Sequence, residues 1–416
     1  MNILLVAPPY AGHLHPTIAL ARRLHERHTV LVASTSTARA AIEHAGVEAA
    51  TLLASAEAAV EAIGKPPGAV RSNPFMLHRL LRENLALMAR FKAEFAELVA
   101  AYRPQLVIAE AVLPIAGVVA AERGIPWWTL FTIAPSALEN RGAPPSYLGG
   151  WTPTSSPLGA ARDALGHAAI RGFKRVVFAL YGREIDALGI PAPYRADGTE
   201  QVYSPERILM TSYRELEFAH DWPASCHFIG PIAYAGQARA AAVPPRDPAR
   251  SRVFLTSGTL VPWVKRRFAD AVRAAARALP DVEFRLSLGD PNAAPDASAN
   301  LTVVPYADYG EEIAQASLVV HHAGTGIALE CAARGTPALV HPVDYDQFDT
   351  AARLCAHGLA RRIRDLGRLA PAIAAALADG ELAASSRRFA CAVARYDALA
   401  TVERMIDEEF ALTAAR

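Results

Sequence analysis

The chain has 416 residues, of which 52% are hydrophobic and 20% are charged, and its 42 Lys and Arg nearly balance 41 Asp and Glu at a net charge of +1. This length exceeds the size at which one hydrophobic core stops growing, so two domains are expected, and the near-neutral charge excludes a general attraction to nucleic acid or to an anionic membrane. Four scattered cysteines without a CxxC pair indicate neither a disulfide framework nor a zinc site.

Short apolar runs alternate with helical patterns through the first half of the chain. The apolar runs predict strands at residues 3–7, 29–33, 106–109 and 127–131. Apolar residues at helical spacing predict helices at residues 16–27, 74–102 and 113–123, the first of them opened by a proline. Strands that are apolar throughout and alternate with helices indicate a parallel sheet that is covered on both faces.

A histidine follows the first predicted strand in the segment Gly12-His13-Leu14-His15-Pro16. If Pro16 opens the helix, His13 lies beside a helix N-terminus, whose positive dipole end disfavours imidazolium and keeps a neutral base available. Such a base needs an orienting carboxylate, and Glu110 is the best candidate because it ends the strand at residues 106–109. The spacing equally allows His13 to cap local backbone while Glu110 pairs with an arginine.

The same alternation restarts in the second half. It predicts strands at residues 253–256, 283–288, 301–304, 318–320 and 338–341, and helices at residues 265–279 and 326–334. We therefore predict an α/β fold in which two Rossmann-like, doubly wound parallel-sheet domains face each other across a cleft, where such sheets bind ligands. The predicted divisions are an N-terminal domain (1–233), a linker (234–250), a C-terminal domain (251–390) and a helix returning toward the N-terminal domain (391–416).

The most informative segment begins where an apolar strand ends in a histidine. The chain passes from His322 through Gly324 and Gly326 into a helix, and so presents bare N–H groups and a positive dipole end to an anion. His322 can add a charge-assisted hydrogen bond to a phosphate oxygen. Glu330 lies one turn further on and can accept hydrogen bonds from sugar hydroxyls beside that phosphate. The segment predicts a nucleotide site.

Two further segments suit the same ligand. Gly258 and Thr259 follow another predicted strand and offer N–H groups and a hydroxyl to phosphate. Asp346 and Gln347 suit sugar hydroxyls, which one acceptor and one mixed donor and acceptor can read together. A metal role for the aspartates at 344 and 346 lacks further carboxylates except the one at 349, so we predict no metal site.

In these segments the chain resembles the family 1, UDP-glucosyltransferase-like glycosyltransferases of GT-B fold, especially bacterial enzymes that glycosylate macrolides and other natural products. The resemblance is strongest over residues 300–354 and at Gly12-His13-Leu14-His15-Pro16, which matches a Gly-His-x-x-Pro pattern. It implies inverting, metal-independent transfer of a hexose from a UDP or dTDP sugar, without a further cofactor. The acceptor would be a hydroxyl of a small hydrophobic molecule bound by the N-terminal domain, and the C-terminal domain would bind the nucleotide sugar.

The resemblance also implies a role for each candidate residue. His13 would take the proton from the acceptor hydroxyl, and Glu110 would occupy the place of the family's orienting aspartate. The other implied contacts are those with the diphosphate (Gly258, Thr259, His322, Gly324, Gly326), the ribose (Glu330), the donor sugar (Asp346, Gln347) and the base, on which Tyr306 would stack.

Four positions depart from the family pattern. Ile327 replaces a Ser or Thr, Thr350 stands where asparagine is common, and Tyr306-Ala307-Asp308-Tyr309 replaces a Trp-x-Pro-Gln pattern that helps to read the base. The base is therefore open between uracil and thymine. Glu110 is one methylene longer than aspartate, and a misplacement of about 1 Å can cost about 10²-fold in rate.

Other functions stay open beside this one. They are a catalytically weak homologue that binds a nucleotide, a sugar-nucleotide epimerase, and a lipid-linked transferase of cell-wall synthesis. An epimerase would not need His13 beside an acceptor cleft, and a lipid-linked enzyme should carry a dense basic cluster, which is not evident near the first domain. We expect a monomer or homodimer in antibiotic or other natural-product biosynthesis, without a nucleic-acid partner.

The expected location is cytoplasmic, without stable membrane insertion. The first residues lack the basic start of a signal peptide, and the longest apolar run, residues 111–121, is too short to cross a bilayer.

Overall fold

The computed structural model describes residues 1–64, 74–218, 221–233, 241–259, 262–290 and 294–414. Its first sheet has seven strands in the order β3-β2-β1-β4-β5-β6-β7, and every neighbouring pair is parallel. The strands are β1 (Asn2–Val6), β2 (Thr29–Ser34), β3 (Glu48–Thr51), β4 (Leu106–Glu110), β5 (Trp127–Phe131), β6 (Ile208–Met210) and β7 (Cys226–Phe228).

The second sheet also has seven strands, in the order β10-β11-β9-β8-β12-β13-β14. Its neighbouring pairs are parallel except for β10 and β11, which are antiparallel. The strands are β8 (Arg252–Thr256), β9 (Glu283–Ser287), β10 (Asp296–Ser298), β11 (Leu301–Val304), β12 (Leu318–His321), β13 (Ala338–Val340) and β14 (Ala360–Arg362).

Helices connect the strands of both sheets. They are α1 (Ala11–His25), α2 (Ser36–His44), α3 (Glu57–Gly64), α4 (Pro74–Tyr102), α5 (Pro114–Glu122), α6 (Pro157–Leu180), α7 (Gly182–Ala187), α8 (Pro262–Ala278), α9 (Tyr309–Gln315), α10 (Thr325–Arg334), α11 (Gln347–Ala356), α12 (Leu369–Ala378), α13 (Gly380–Val393) and α14 (Ala398–Ala414). Within the described part of the chain, no helix combines the length and the apolar content needed to cross a membrane.

Successive residues of the central strands enter different apolar clusters. In β1, Ile3 and Leu5 pack in the cluster that contains α1, whereas Leu4 and Val6 pack in the cluster that contains α4 and α5. In β8 the neighbours Val253 and Phe254 divide in the same way. Each sheet is therefore covered on both faces, as strands that are apolar throughout require. The prediction of an α/β fold with two doubly wound parallel sheets is confirmed.

The first helix begins earlier than the sequence predicted. α1 starts at Ala11, and Pro16 lies inside it. The ring nitrogen of Pro16 cannot bond the carbonyl of Gly12, four residues back. One residue further on, the Thr17 hydroxyl donates a hydrogen bond to the carbonyl of His13 at 2.9 Å. The prediction was wrong because proline favours the first turn of a helix but does not require it, and His13 consequently lies within the first turn of α1.

Five short strands were not predicted. β3, β6, β7, β10 and β14 have only three or four residues each, and all three residues of β10 are exposed. Such strands carry too few residues for an apolar pattern to distinguish them from loops. Their pairing partners in the sheets, which the sequence does not reveal, define them.

The predicted linker and the predicted returning helix differ in detail from the structure. Residues 234–240 of the linker lie outside the described residues, and residues 244–245 accept hydrogen bonds from the guanidinium of Arg252 in β8. The last helix, α14, places Val402 and Ile406 in the apolar cluster of the first sheet. It is also held by an ion pair between Asp407 and Arg27 of the first domain. The returning helix therefore begins at Ala398, after α13 has ended at Val393.

Candidate active site

Both sheets turn the carboxyl ends of their central strands toward one cavity of about 660 Å³. In the first sheet β1 lies beside β4, and in the second β8 lies beside β12, although other strands intervene along the chain. Each sheet therefore has its topological switch point at the cavity, which is where doubly wound sheets bind ligands. His13, which follows β1, and His322, which follows β12, line this same cavity.

His13 lies against a buried carboxylate. Its Nδ1 is 2.9 Å from Oε1 of Glu110, the last residue of β4. The same oxygen accepts a hydrogen bond from the Thr132 hydroxyl at 2.6 Å, and the other carboxylate oxygen accepts from the N–H of Val112 at 2.9 Å. Because Nδ1 faces the carboxylate and the ring lines the cavity, Nε2 is the nitrogen that can meet a ligand.

The electrostatics of this pair correct one prediction. Burial lowers the pKa of His13, but the Glu110 carboxylate raises it by more, with a smaller contribution from Asp346, so the pKa lies above its ordinary value. Burial raises the pKa of Glu110, yet His13, Thr132 and the Val112 N–H together hold it below its ordinary value. The shift is therefore opposite in direction to the one expected from the helix dipole, because a carboxylate in direct contact outweighs a partial charge.

His322 lies between two glycines. A methyl group at Gly258 would stand 2.4 Å from the ring carbon Cε1, and one at Gly324 would stand 2.4 Å from Nε2. Gly258 also has a φ of +78°, which disfavours any other residue. These glycines are therefore required by the histidine they enclose. A methyl group at Gly326 would meet no protein atom within 4 Å, so that position is open.

The unliganded His322 ring is neutral near pH 7. Burial lowers its pKa to about 4, and the positive charge of Lys265 contributes in the same direction. Within the described part of the chain, its Nδ1 is buried without a hydrogen-bond partner. The preceding His321 is fully buried and accepts a hydrogen bond from the N–H of Ala323 at 3.1 Å.

The two predicted donor-sugar residues are already engaged by protein groups. Oδ2 of Asp346 accepts hydrogen bonds from the N–H of Ala134 at 2.9 Å and from the Thr325 hydroxyl at 3.3 Å. The amide oxygen of Gln347 accepts from the N–H groups of residues 343 and 344. Asp346 therefore joins the two halves of the chain, and Gln347 offers the cavity its amide donor rather than its oxygen.

The other predicted nucleotide residues line the same cavity: Gly258, Thr259, Tyr306, Gly324, Gly326 and Glu330. The Glu330 carboxylate pairs with Arg334, one turn further along α10, and Arg334 also lines the cavity. Ten of the eleven predicted site residues thus line this cavity, and the eleventh, Glu110, contacts His13 from behind it.

Residues that depart from the family pattern have structural partners. Ile327 is buried in an apolar cluster with Phe254 and Val304, so it packs where other family members carry a hydroxyl. Asp308 is the N-cap of α9 and accepts hydrogen bonds from the N–H groups of Gly310 and Glu311. The longer Glu110 still meets His13 at hydrogen-bonding distance, because β4 ends at Glu110 itself.

The sequence analysis did not identify Thr132. This residue follows β5, whose Leu130 pairs with Glu110 in the neighbouring strand. A hydroxyl residue directly after a strand was the available signal, but the neighbouring order of β4 and β5 is needed to interpret it. Among the described residues, no group of three or more His, Cys, Asp or Glu side chains has the arrangement of a metal site.

Comparisons with known proteins agree with this geometry. Residues 267–391 match the model of the glycosyltransferase family 28 C-terminal domain. L-demethylnoviosyl transferase of Streptomyces niveus is 29% identical over the whole of both chains. Zeaxanthin glucosyltransferase of Pseudescherichia vulneris is 31% identical over 207 residues, which are 48% of this chain and 49% of that protein. The match thus spans about half the length of this relative.

Solved structures share the whole fold. The glycotransferase of kitacinnamycin superimposes with a TM-score of 0.74 at 20% identity, covering 98% of each chain. The spinosyn rhamnosyltransferase SpnG, solved in complex with thymidine diphosphate, has a TM-score of 0.66 at 21% identity and covers 98% of this chain and 100% of its own. The predicted resemblance is confirmed: the chain is similar to bacterial natural-product glycosyltransferases, it shares the GT-B fold of the solved ones, and residues 267–391 match a glycosyltransferase C-terminal domain.

Proposed function

We propose that this protein is an inverting, metal-independent glycosyltransferase that moves a hexose from a UDP or dTDP sugar to a hydroxyl of a small hydrophobic natural product. The observation that carries the proposal is the single cavity lined both by His13, with its buried carboxylate, and by the glycine-flanked His322 at the start of α10. His13 suits proton transfer and His322 suits a diphosphate, and the two residues follow strands of different sheets but line the same cavity.

His13 is the proposed proton acceptor. The acceptor hydroxyl gives its proton to Nε2 of His13 as its oxygen attacks the anomeric carbon of the sugar. The imidazolium that forms is stabilised by Glu110, whose remaining oxygen contacts come from Thr132 and the Val112 N–H. Catalysis by a positioned base of this kind typically contributes about 10²–10⁴-fold to the rate.

The leaving group is the nucleoside diphosphate. The bond between the anomeric carbon and the diphosphate oxygen breaks as the new bond forms, and negative charge collects on the departing phosphate. The N-terminus of α10 faces the cavity with bare N–H groups, and His322 adds a donor there. Because the base and the phosphate site come from different sheets and line one cavity, we propose a single displacement in which the acceptor oxygen attacks the face of the anomeric carbon opposite to the departing phosphate, which inverts the anomeric configuration.

Metal independence rests on how the acidic side chains are used. The Asp346 carboxylate accepts hydrogen bonds from Ala134 and Thr325, and the Glu330 carboxylate pairs with Arg334. Neither carboxylate presents a bare pair of oxygens toward the diphosphate. The groups that would donate hydrogen bonds to the diphosphate are instead backbone N–H groups and the His322 ring.

The acceptor side of the cavity is apolar. It is lined from the first domain by Leu52, Leu53, Val60, Ile63, Leu87, Met88, Phe91 and Ile115. Such a lining favours a hydrophobic acceptor with few polar groups. Relatives named as a transferase of noviose type and as a zeaxanthin glucosyltransferase support an acceptor of natural-product type.

The decisive test replaces the proposed base. Turnover would be measured as acceptor-dependent release of nucleoside diphosphate, using UDP and dTDP sugars with a panel of hydroxylated hydrophobic compounds. His13→Ala should lose at least about 10²-fold in turnover, while thermal stabilisation by UDP or dTDP is retained. His25→Ala is the matched control, because His25 is exposed in the last turn of the same helix.

Equal turnover in the wild type and His13→Ala would remove His13 from the mechanism. Absence of acceptor-dependent release by the wild type across the panel, together with nucleotide binding, would favour the catalytically weak homologue. Retention of the anomeric configuration in the product would contradict the single displacement, and loss of turnover after treatment with a metal chelator would contradict metal independence.

A further inference from the structure

Exposed hydrophobic side chains concentrate on one helix. In the described part of the chain, nine large hydrophobic residues are exposed, and five of them belong to α6. They are Leu158, Leu165, Phe173, Val176 and Leu180, and each is 52–85% exposed. A soluble protein seldom exposes such a contiguous set unless the surface has a partner. None of the five lines the cavity of the proposed active site.

The polarity of α6 is reversed relative to that of an ordinary surface helix. Four of its five charged residues form ion pairs: Arg162 pairs with its neighbour Asp163, Arg171 with Glu139 of the first domain, and Lys174 with both Glu139 and Glu200. Within Pro157–Leu180, all of which the structure describes, Arg175 is the one charged residue in the exposed class. The open side of the helix is otherwise built of apolar and small residues.

The centre of that open side follows a spacing of three and four residues. We call it the α6 seam, and it consists of Leu158, Ala161, Leu165, Ala168, Ala169, Gly172, Val176 and Ala179, all of them exposed. Spacing of this kind keeps residues in line along a helix that packs on another helix. The small residues allow the axes of two helices to approach closely.

We propose that the α6 seam packs against the seam of a second copy of this chain, antiparallel and across a two-fold axis. The order of residue sizes along the seam carries this proposal. A two-fold axis between Ala168 and Ala169 pairs each remaining large residue with a small one from the other copy. The pairs are Leu158 with Ala179, Ala161 with Val176, and Leu165 with Gly172.

Only the antiparallel arrangement gives this complementarity. In a parallel pair in register, Leu165 would meet its own copy and Gly172 would meet its own copy, which leaves alternate clashes and gaps. A two-fold antiparallel contact is also closed, because the same patch serves both copies and no surface is left to extend a chain of molecules. The absence of charge on the seam removes like-charge repulsion between identical faces.

The size of the contact suggests a dimer of moderate affinity. A helix of 24 residues is ~36 Å long, and two such helices in contact bury on the order of 1,000 Å². This area lies near the lower limit for a specific interface, so we expect a dimer that dissociates on dilution. The inference does not depend on the proposed enzymatic function.

A lipid surface fits the seam less well. Helices that lie on membranes carry several free basic residues beside their apolar face, whereas three of the four Lys and Arg residues of α6 (Arg162, Arg171 and Lys174) pair with acidic neighbours. Alanine and glycine add little apolar area to an inserted face, but they allow close contact between helices.

The first experiment measures self-association of the full chain. The second exchanges the large and the small residue of one proposed pair, Leu165 and Gly172. Sedimentation velocity over a dilution series should show a monomer–dimer equilibrium. Gly172→Leu should raise the dissociation constant at least about tenfold, because the introduced leucine side chain would face Leu165 of the other copy. A Cβ added at Gly172 has no atom of the described residues within 4 Å, and this position is exposed, so we expect the fold to be retained. The double variant Leu165→Ala with Gly172→Leu restores one large and one small residue, and should recover dimerisation.

Cross-linking tests the register. In a Cys391→Ser background, which removes the exposed native thiol, Ala168→Cys should be joined to its copy by a short bismaleimide. Ala160→Cys is the control, since Ala160 is exposed on the same helix but lies off the seam. A monomer at all concentrations, or a dimer that is insensitive to Gly172→Leu, would overturn the proposal. So would equal cross-linking at the two positions, or binding to phospholipid vesicles by a chain that stays monomeric in solution.

Discussion

At the scale of single residues, the proposed base depends on one enclosed carboxylate. Glu110 is 1% exposed, and its contacts with His13, Thr132 and the Val112 N–H account for both of its oxygens. His13 can keep the proton that it takes from the acceptor hydroxyl only if its surroundings stabilise the imidazolium. The raised pKa of His13 shows that they do.

Glu110→Gln should lower the rate and shift its pH dependence. Turnover needs unprotonated His13, so in the wild type it should rise as pH increases through the raised pKa of this residue. Removing the carboxylate charge lowers that pKa, and the acidic limb of the profile should move to lower pH. The maximal rate should fall roughly 10²–10⁴-fold, because the imidazolium loses its partner. The pH–rate profile of kcat/KM checks both effects, and an unchanged acidic limb would show that His13 does not titrate there.

The glycines around His322 lead to a second prediction at this scale. In Gly324→Ala the new methyl group would stand 2.4 Å from Nε2 of His322, and the ring would have to move. We expect binding of UDP or dTDP to weaken about tenfold or more, which corresponds to about 1.4 kcal/mol or more. Calorimetric titration measures this, and Gly380→Ala is the control because nothing lies within 4 Å of its new carbon. Unchanged affinity in Gly324→Ala would separate the ring's position from nucleotide binding.

At the scale of elements, α11 connects the two halves of the chain. Asp346 at its N-cap accepts the N–H of Ala134, Asp349 accepts the N–H of Tyr147 at 2.9 Å, and Arg353 pairs with Glu217 at 2.5 Å. The three side chains are spaced by three and four residues, so they share one side of the helix. One helix of the second domain thus binds three segments of the first.

The pair of Arg353 and Glu217 gives a prediction for this helix. Both side chains are at most 3% exposed, so removing one partner leaves a buried charge. Arg353→Met should lower the free energy of unfolding by about 3–5 kcal/mol, whereas Arg353→Met combined with Glu217→Met should recover most of the loss. Chemical unfolding of the single and double variants measures the difference. An equal loss in the single and the double variant would show that the packing of Arg353 on the Phe218 ring, rather than the charge of Arg353, stabilises the folded chain.

At the scale of the whole molecule, the contact between the two domains includes the carboxyl group of Asp349, whose pKa is shifted toward neutrality. Burial raises the pKa of Asp349 to about 6, with Asp346 and Glu217 acting in the same direction and Arg353 and the Tyr147 N–H against it. A folded state that binds this proton more tightly than the unfolded chain is favoured at low pH. That contribution is lost as pH rises through about 6.

Asp349→Asn should therefore stabilise the closed molecule at pH 8. Its amide oxygen can still accept the Tyr147 N–H, but the buried charge is gone. We expect a gain of up to about 3 kcal/mol at pH 8, shrinking as pH falls below 6. Thermal unfolding midpoints at pH 5 and pH 8 test this. An equal effect of the substitution at both pH values would mean that the Asp349 charge is compensated in the fold.

The sequence by itself determined the long elements and the chemistry at their ends. Continuous apolar runs in β1, β4 and β8 predict buried parallel strands because both faces must be covered, and α4 is predicted to the residue by its helical spacing. His13, His322 and the glycines beside them are likewise local signals, since each lies directly after a strand. Local patterns suffice where the physical requirement is itself local.

Only the tertiary structure decided what depends on residues far apart in the chain. The strand order placed Glu110 and Thr132 against His13, and the carboxylate contact raised the pKa of that ring, whereas the helix dipole alone would lower it. The start of α1 and the short edge strands were decided by hydrogen bonds to distant partners. The exposed side of α6 is largely apolar because charged side chains of this helix form ion pairs with residues elsewhere in the fold. Pairing energies between distant groups are set by proximity and burial, which a linear pattern does not contain.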